Sequence, residues 1–291
     1  MWYNLGMADN SYLVVRAEVL RCIRSFFDSR GFVEVETPVR IPAPAPEPHI
    51  DCPASGKWFL RASPELQMKK LLAAGLPRIY QMGPCFREGE RGRRHSPEFT
   101  MLEWYRADAG YTDIARDAEE LLVEVMRMRP GASFAMPFAR IPVREAYLRW
   151  AGWDPLEEWD QDRFDVDMAT KIEPSIPATP VFLVDYPAPA ASLARLKPGD
   201  PRVAERWELY VGGIELANAF TELTDPVEQR RRFEAAREER RALGEADYPL
   251  DEGFLAALAA MPPSAGVALG VDRLAMLACG AESIEDVRVS P

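Results

Sequence analysis

Between Phe86 and Phe99 the chain carries four arginines, Arg87, Arg91, Arg93 and Arg94, with His95 and the acids Glu88, Glu90 and Glu98. The flanking runs predict an antiparallel hairpin: strand 79–87, loop 88–98, strand 99–106. A loop of that length inside a compact fold is usually functional. A guanidinium at a strand end clamps phosphate through its planar fork, and Arg87 offers that chemistry. On the returning strand, alternation puts Phe99, Met101, Glu103 and Tyr105 on one face. A ring, a carboxylate and a phenol on one pleated face suit an adenine and an ammonium group. The plainer alternative is a solvated basic loop beside a half-buried strand, and the hairpin alone does not decide.

Two further segments carry signals of the same kind. In Gly266-Val267-Ala268-Leu269-Gly270-Val271-Asp272-Arg273 a strand runs straight into a helix. Arg273 falls in the first helical turn, where the helix dipole opposes a cation. That placement makes sense where a polyanion docks, because helix N-termini already receive anions. Gly266 and Gly270 let backbone approach a ligand closely. The plainer alternative pairs Arg273 with a nearby acid. In Gly213-Ile214-Glu215-Leu216-Ala217-Asn218-Ala219-Phe220-Thr221-Glu222, two strand carboxylates facing a nucleotide would hold Mg²⁺ through oxygen. Glu215 and Glu222 are seven apart, so a regular strand puts them on opposite faces. A shared site needs a bulge, or an end to the strand, between them. Asn218 and Glu222 share parity. Here the plainer alternative is a pair of solvent-facing acids on an edge strand.

The elements that must position these residues follow from the pattern. Leu13, Val14, Ala17, Leu20, Ile23 and Phe27 recur at helical spacing over 11–30, with Asn10 or Ser11 as cap and Gly31 as stop. A strand over 32–36 ends at Thr37-Pro38. Prolines 42, 44, 46, 48 and 53 exclude regular structure over 42–53 and predict an extended loop. Ser63 caps a helix with Pro64 at its first position, ending near Gly75. A helix is predicted over 112–129, a mixed insertion over 131–180 whose tryptophans (Trp150, Trp153, Trp159) pack, and a strand over 181–186. Strands 205–211 and 214–222 flank the Gly212-Gly213 hairpin turn. Asp225 and Glu228 form a capping box for the next helix. A helix over 251–261, a strand over 266–271 and a helix over 272–279 closed by Gly280 complete the chain. This mixture predicts an α+β fold around an antiparallel sheet, read as a single domain over 1–291.

Composition sets bounds. The 291 residues are 47% hydrophobic and 28% charged, an ordinary soluble globular balance. No uncharged apolar stretch reaches the roughly 18 residues of a membrane helix, and the start lacks a leader pattern, so a cytoplasmic protein is expected. Cys22, Cys52, Cys85 and Cys279 form no close pairs and only His49 and His95 are present, which disfavours a zinc site and predicts reduced thiols. A formal charge of −11 disfavours a large nucleic-acid footprint.

Together and in this order, the three segments resemble the motifs of class II aminoacyl-tRNA synthetases. Thr37-Pro38 looks like the first motif, which implies a homodimer interface; the Arg87 hairpin looks like the second, and Gly270-Val271-Asp272-Arg273 like the third. Ser63-Pro64-Glu65, 95–105 and 213–225 resemble lysyl-type members. With the core starting in the first dozen residues, no anticodon-binding barrel is expected. That points to the free-standing lysyl-type paralogues that ligate (R)-β-lysine to a lysine of elongation factor P.

The resemblance implies that Arg87 holds the α-phosphate of ATP, His95 lies near the outer phosphates, Phe99 stacks on adenine and Arg273 grips the γ-phosphate. Glu88, Gly89, Ser96, Leu216 and Gly270 complete the implied ATP site. Glu215 and Glu222 would take Mg²⁺, with Glu222 also near the substrate. Ser63, Pro64, Glu65, Glu103, Tyr105, Asn218 and Ala268 would line the amino-acid pocket, whose acids suit a diamino acid. Three departures stand out: Gly89 where the second motif has Glu, Ser96 where Asn is usual, and Ala268 where lysyl-tRNA synthetases have Gly. Glu90, or backbone at Gly89, is placed to substitute at the adenine. A methyl at Ala268 would raise the pocket floor and favour the β-amino isomer over α-lysine. Competing expectations are stand-alone aminoacylation of tRNA or a small acceptor, and a catalytically silent synthetase-like module. Retention of Arg87, Glu215, Glu222 and Arg273 argues against the last.

Overall fold

The computed structural model describes residues 10–129, 131 and 133–289. The stretch 1–9, where no leader is expected, lies outside them, as does the side chain of Asn10. The chain opens on α1 (Asn10–Asp28) and β1 (Val33–Glu34), then a small sheet of β2 (Arg40–Ile41), β3 (Ala54–Ser55) and β4 (Trp58–Leu60). Next come α2 (Glu65–Ala73), the hairpin β5 (Arg78–Phe86) and β6 (Glu98–Ala107), α3 (Tyr111–Met126), β7 (Ala139–Pro142), α4 (Val143–Ala146) and α5 (Gln161–Asp167). The chain continues through β8 (Val181–Pro187), β9 (Leu196–Lys197), β10 (Asp200–Val211), β11 (Ile214–Thr221), α6 (Pro226–Leu243), α7 (Glu252–Leu258), β12 (Ser264–Gly270) and α8 (Val271–Cys279).

Among the described residues, nine strands form one sheet in the order β1-β5-β6-β12-β11-β10-β8-β7, with β9 paired to β10. Its centre is antiparallel, as the hairpin-rich sequence predicts. The short edge strands β1 and β7 instead run parallel to β5 and β8, so the sheet is mixed and the fold is α+β.

One face of the sheet is apolar and closed. Leu102, Trp104, Leu209, Ala217, Ala219, Val267 and Leu269 project there against Val19, Ile23, Phe26 and Phe27 of α1, with α3 and α8 completing the layer. Each fully buried Leu, Ile, Val or Phe among them contributes about 1.5–3 kcal/mol, so the alternation is strongly specified. A one-residue slip would drive Glu103 or Asn218 into this core. The opposite face is only partly covered, by α2 and α7 through Leu66, Met68, Leu72, Phe254 and Leu258. The uncovered part is a cavity.

β11 resolves the parity of its two acids. Leu209 pairs with Ala217, but Tyr210 pairs with Glu215, which leaves Leu216 as an extra residue in a bulge. The bulge returns Glu215 to the face that carries Asn218 and Phe220.

Other local expectations are adjusted. Pro64 sits at the cap of α2 rather than inside it, and the hydroxyl of Ser63 accepts from Glu65 N at 2.9 Å. Asp225 caps α6 by accepting from Val227 N and Glu228 N, but no reciprocal arm forms: Glu228 is held by Arg231 and Arg232 instead, stronger charged partners than a backbone amide. Gly212 and Gly213 both take positive φ, as a tight hairpin turn requires. The insertion packs its own cluster, Tyr147, Trp153, Phe164 and Ile172 with Trp150 and Trp159 alongside, onto β8 and Tyr210. All four cysteines are free. No described helix is long and apolar enough to cross a membrane.

Candidate active site

Strand register places the chemistry in rows. Glu208, Asn218, Ala268, Glu103 and Gln81 lie side by side across five strands. The next row is Arg206, Phe220, Gly266, Tyr105 and Ile79. Ala268 is therefore the middle of a floor flanked by a carboxamide and a carboxylate. Above this floor is a cavity of about 380 Å³. Ser63, Glu65, Arg87, His95, Ser96, Phe99, Glu103, Tyr105, Glu215, Leu216, Asn218, Ala268, Gly270 and Arg273 all line it. Pro64, Glu88, Gly89 and Glu222 do not. Glu88 uses its backbone N–H on Asp51 O, and Gly89 takes φ +79° in an open turn. Glu90, two residues beyond Glu88, does line the cavity.

One end is basic. Arg87 lies over the Phe99 ring at 5.2 Å and reaches Glu90 at 3.6 Å. Its Nε is buried with no acceptor among the described residues, a donor awaiting an anion. Arg273 projects from the first turn of α8. It donates to Glu215 O at 2.6 Å and Glu215 Oε2 at 3.2 Å, and meets His95 Nε2 at 2.7 Å. Arginine has only donors, so His95 accepts as a neutral imidazole. Burial, then the charge of Arg273, holds its pKa below the usual histidine range. The start of α8 is anchored by Asp272, which accepts from Thr100 N at 2.8 Å and from Arg16 of α1 at 2.5 Å. Arg273 thus pairs with an acid, as the plainer alternative expected, yet stays on the cavity wall.

The other end is acidic. Glu103 is 1% exposed and accepts from Ser63 Oγ at 2.6 Å and Tyr105 OH at 2.8 Å. Burial, with Glu65 adding to it, pushes the Glu103 carboxyl up to about 7. Lys69 of α2, also 1% exposed, forms ion pairs with Glu65 at 2.5 Å and with Glu222. Burial works against its ammonium, but Glu222 and Glu65 outweigh that and hold its proton. Gly266 was expected to admit a ligand to the backbone. Its missing side chain instead makes room for protein: a Cβ there would stand 2.2 Å from Tyr105 Cε1 and 2.7 Å from Glu222 Oε1.

Four residues beside the site escaped sequence reasoning. Lys69 is four residues from Glu65 on one helix face, a spacing that was legible. Arg206 and Glu208 alternate with the core residue Trp207; Arg206 holds Asn218 Oδ1 at 3.2 Å and Glu208 at 2.7 Å, and Tyr210 donates to Glu208 at 2.8 Å. Glu47 comes from the proline-rich loop and gave no signal. Among the described residues no cluster of three or more metal-ligating side chains occurs.

Residues 7–291 match the family of tRNA synthetases class II (D, K and N). The chain is 41% identical over 319 aligned residues to the elongation factor P--(R)-beta-lysine ligase of Proteus mirabilis, spanning 98% of this chain and 96% of that protein. It is 41% identical over 318 aligned residues, with the same coverage, to the protein of that name from Vibrio cholerae. The counterpart in Hamiltonella defensa is 39% identical over 318 aligned residues.

Proposed function

The chain belongs to the class II tRNA synthetase family (D, K and N), and on that premise we propose that it is an ATP-dependent ligase that activates (R)-β-lysine as its adenylate and transfers it to a lysine side chain of elongation factor P. The observation that carries this reading is one cavity with two chemically opposite ends. Arg87, His95 and Arg273 face one end, and Ser63, Glu65, Glu103 and Tyr105 the other, over a shared floor at Ala268.

The amino-acid carboxylate, oriented by ammonium contacts at the acidic end, attacks the α-phosphorus of ATP, and pyrophosphate leaves. Arg87 stabilises charge on the α-phosphate while Phe99 stacks on the adenine. Arg273 and neutral His95 steady the outer phosphates. Catalysis is positioning plus electrostatic stabilisation. Glu90, on the cavity wall near Gly89, takes the adenine-side place of the missing second-motif glutamate. Mg²⁺, when bound, neutralises charge on the outer phosphates. Glu215 fits it: its side chain is 37% exposed on the cavity wall beside Arg273, and one carboxylate with phosphate oxygens suffices. Glu222 does not fit as it stands, because it is fully buried and held by Lys69. We assign Glu222 to the amino-acid end.

Amino-acid-dependent ATP–pyrophosphate exchange tests this. Exchange is expected with (R)-β-lysine; none with any diamino acid overturns the reading. Label reaching tRNA and not elongation factor P would replace protein modification by aminoacylation.

A further inference from the structure

Adenylate formation leaves Glu47 without a task. Its side chain lines the cavity, and its carboxylate has no hydrogen bond or ion pair among the described residues. Its charged neighbours are Glu65 and Lys69 on α2, Arg87 at the end of β5 and Arg206 on β10. Its side chain thus stands on the cavity wall and feels charges from both the phosphate end and the amino-acid end. The loop that presents it is tied down by hydrogen bonds. Arg240 of α6, wholly buried and 4.4 Å over the Tyr248 ring, donates to Glu47 O at 2.8 Å, Ile50 O at 3.2 Å and Asp51 Oδ1 at 2.5 Å. Asp51 O in turn receives Glu88 N at 2.8 Å, which ties the loop to the Arg87 turn.

A half-buried carboxylate on the cavity wall, held on a braced loop and without a protein partner among the described residues, is placed to meet a visiting cation. The amino-acid end does not need it. It has its own carboxylates: Glu65 and Glu103 stand on the cavity wall there, while Lys69 holds Glu65 and Glu222. With Mg²⁺ assigned to Glu215 at the phosphate end, the remaining cation in the reaction is the acceptor's ammonium.

We propose that Glu47 receives the ammonium of the acceptor lysine and takes a proton from it, freeing the amine to attack the adenylate. This rests on the ligase reading above. The nitrogen lone pair forms the C–N bond to the acyl carbon, the acyl C–O bond to phosphate breaks, and AMP leaves with that electron pair. The first proton from nitrogen goes to Glu47 and the second to the departing phosphate. Burial, reinforced by Glu65 and opposed by Arg87, Arg206 and Lys69, raises the Glu47 carboxyl above its ordinary value, the direction that makes it a better proton acceptor.

The test is Glu47→Gln in the full chain, read three ways: (R)-β-lysine-dependent pyrophosphate exchange, transfer to elongation factor P, and capture of the adenylate by hydroxylamine, an amine already unprotonated at neutral pH. Transfer is expected to fall roughly 10²-fold further than exchange does, while hydroxylamine capture falls no further than exchange. The deficit should shrink as pH rises and the acceptor loses its proton unaided. Transfer falling only in step with exchange overturns the proposal, as does a parallel loss of hydroxylamine capture, which would mark a structural role. If the unaltered protein gives no exchange, or exchange without transfer to elongation factor P, the ligase reading itself fails instead.

Discussion

Glu103 accepts two hydrogen bonds in a closed pocket and still keeps its proton up to about pH 7, because burial outweighs Ser63 and Tyr105. An ammonium binds its ionised form. The sign follows: ionisation is incomplete below pH 7 and nearly complete above it, so the KM for the amino acid should fall roughly tenfold from pH 6 to pH 8. Glu103→Gln should raise KM and flatten that limb; a limb unchanged in the variant would assign it to another group. Ala268 acts through shape. Its methyl stands in the row between Asn218 and Glu103, so Ala268→Gly lowers the floor without touching either polar neighbour. The ratio of kcat/KM for (R)-β-lysine over α-lysine is expected to fall by about tenfold or more, the range of one methyl group's worth of shape selection. An unchanged ratio would remove the floor from the specificity account.

At the scale of elements, β12 is the strand that cannot yield. It is paired on both sides, to β6 and β11, so its backbone has no lateral freedom. Tyr105 on β6 lies across Gly266, and Glu222 closes in from the end of β11. Gly266→Ala places a carbon inside the Tyr105 ring's contact distance. It should cost about 1–3 kcal/mol in chemical denaturation and raise the amino-acid KM. In a Tyr105→Ala background the same substitution should cost less than it does alone, since the ring it meets is gone and the two changes share that clash. Additive losses would mean the strain lies elsewhere. The bulge at Leu216 is the other element-scale device, because it turns Glu215 toward the cavity while leaving Ala217 and Ala219 in the core.

Across the whole molecule, contacts far apart in sequence assemble the cavity. Arg240 on α6 braces a loop 193 positions earlier. Asp272 on α8 joins Arg16 of α1, 256 positions away. Arg240→Ala would strand the carbonyls of Glu47, Ile50 and Ala246, and a loss of about 3 kcal/mol in unfolding free energy is expected. The amino-acid KM should rise with it, because Glu47 and Ile50 form cavity wall. Full stability in that variant would show the prolines alone hold the loop.

Sequence by itself determined the direction of most of the site. Phe99, Glu103 and Tyr105 share a face because strands alternate with period two, and Arg273 marked a helix start because a cation there is locally unfavourable. The order of three such segments was specific enough to show the family. Tertiary structure decided the partners. Whether Glu215 and Glu222 share a face depended on a bulge that no local pattern shows, and Glu222 is held by Lys69 because α2 packs over the open face of the sheet. Glu47 stands on the cavity wall in a loop that a buried arginine from another helix holds, a contact no local pattern shows. Periodicity fixes which way a side chain points; which charge it meets there depends on packing between segments hundreds of residues apart, and no spacing rule spans that distance.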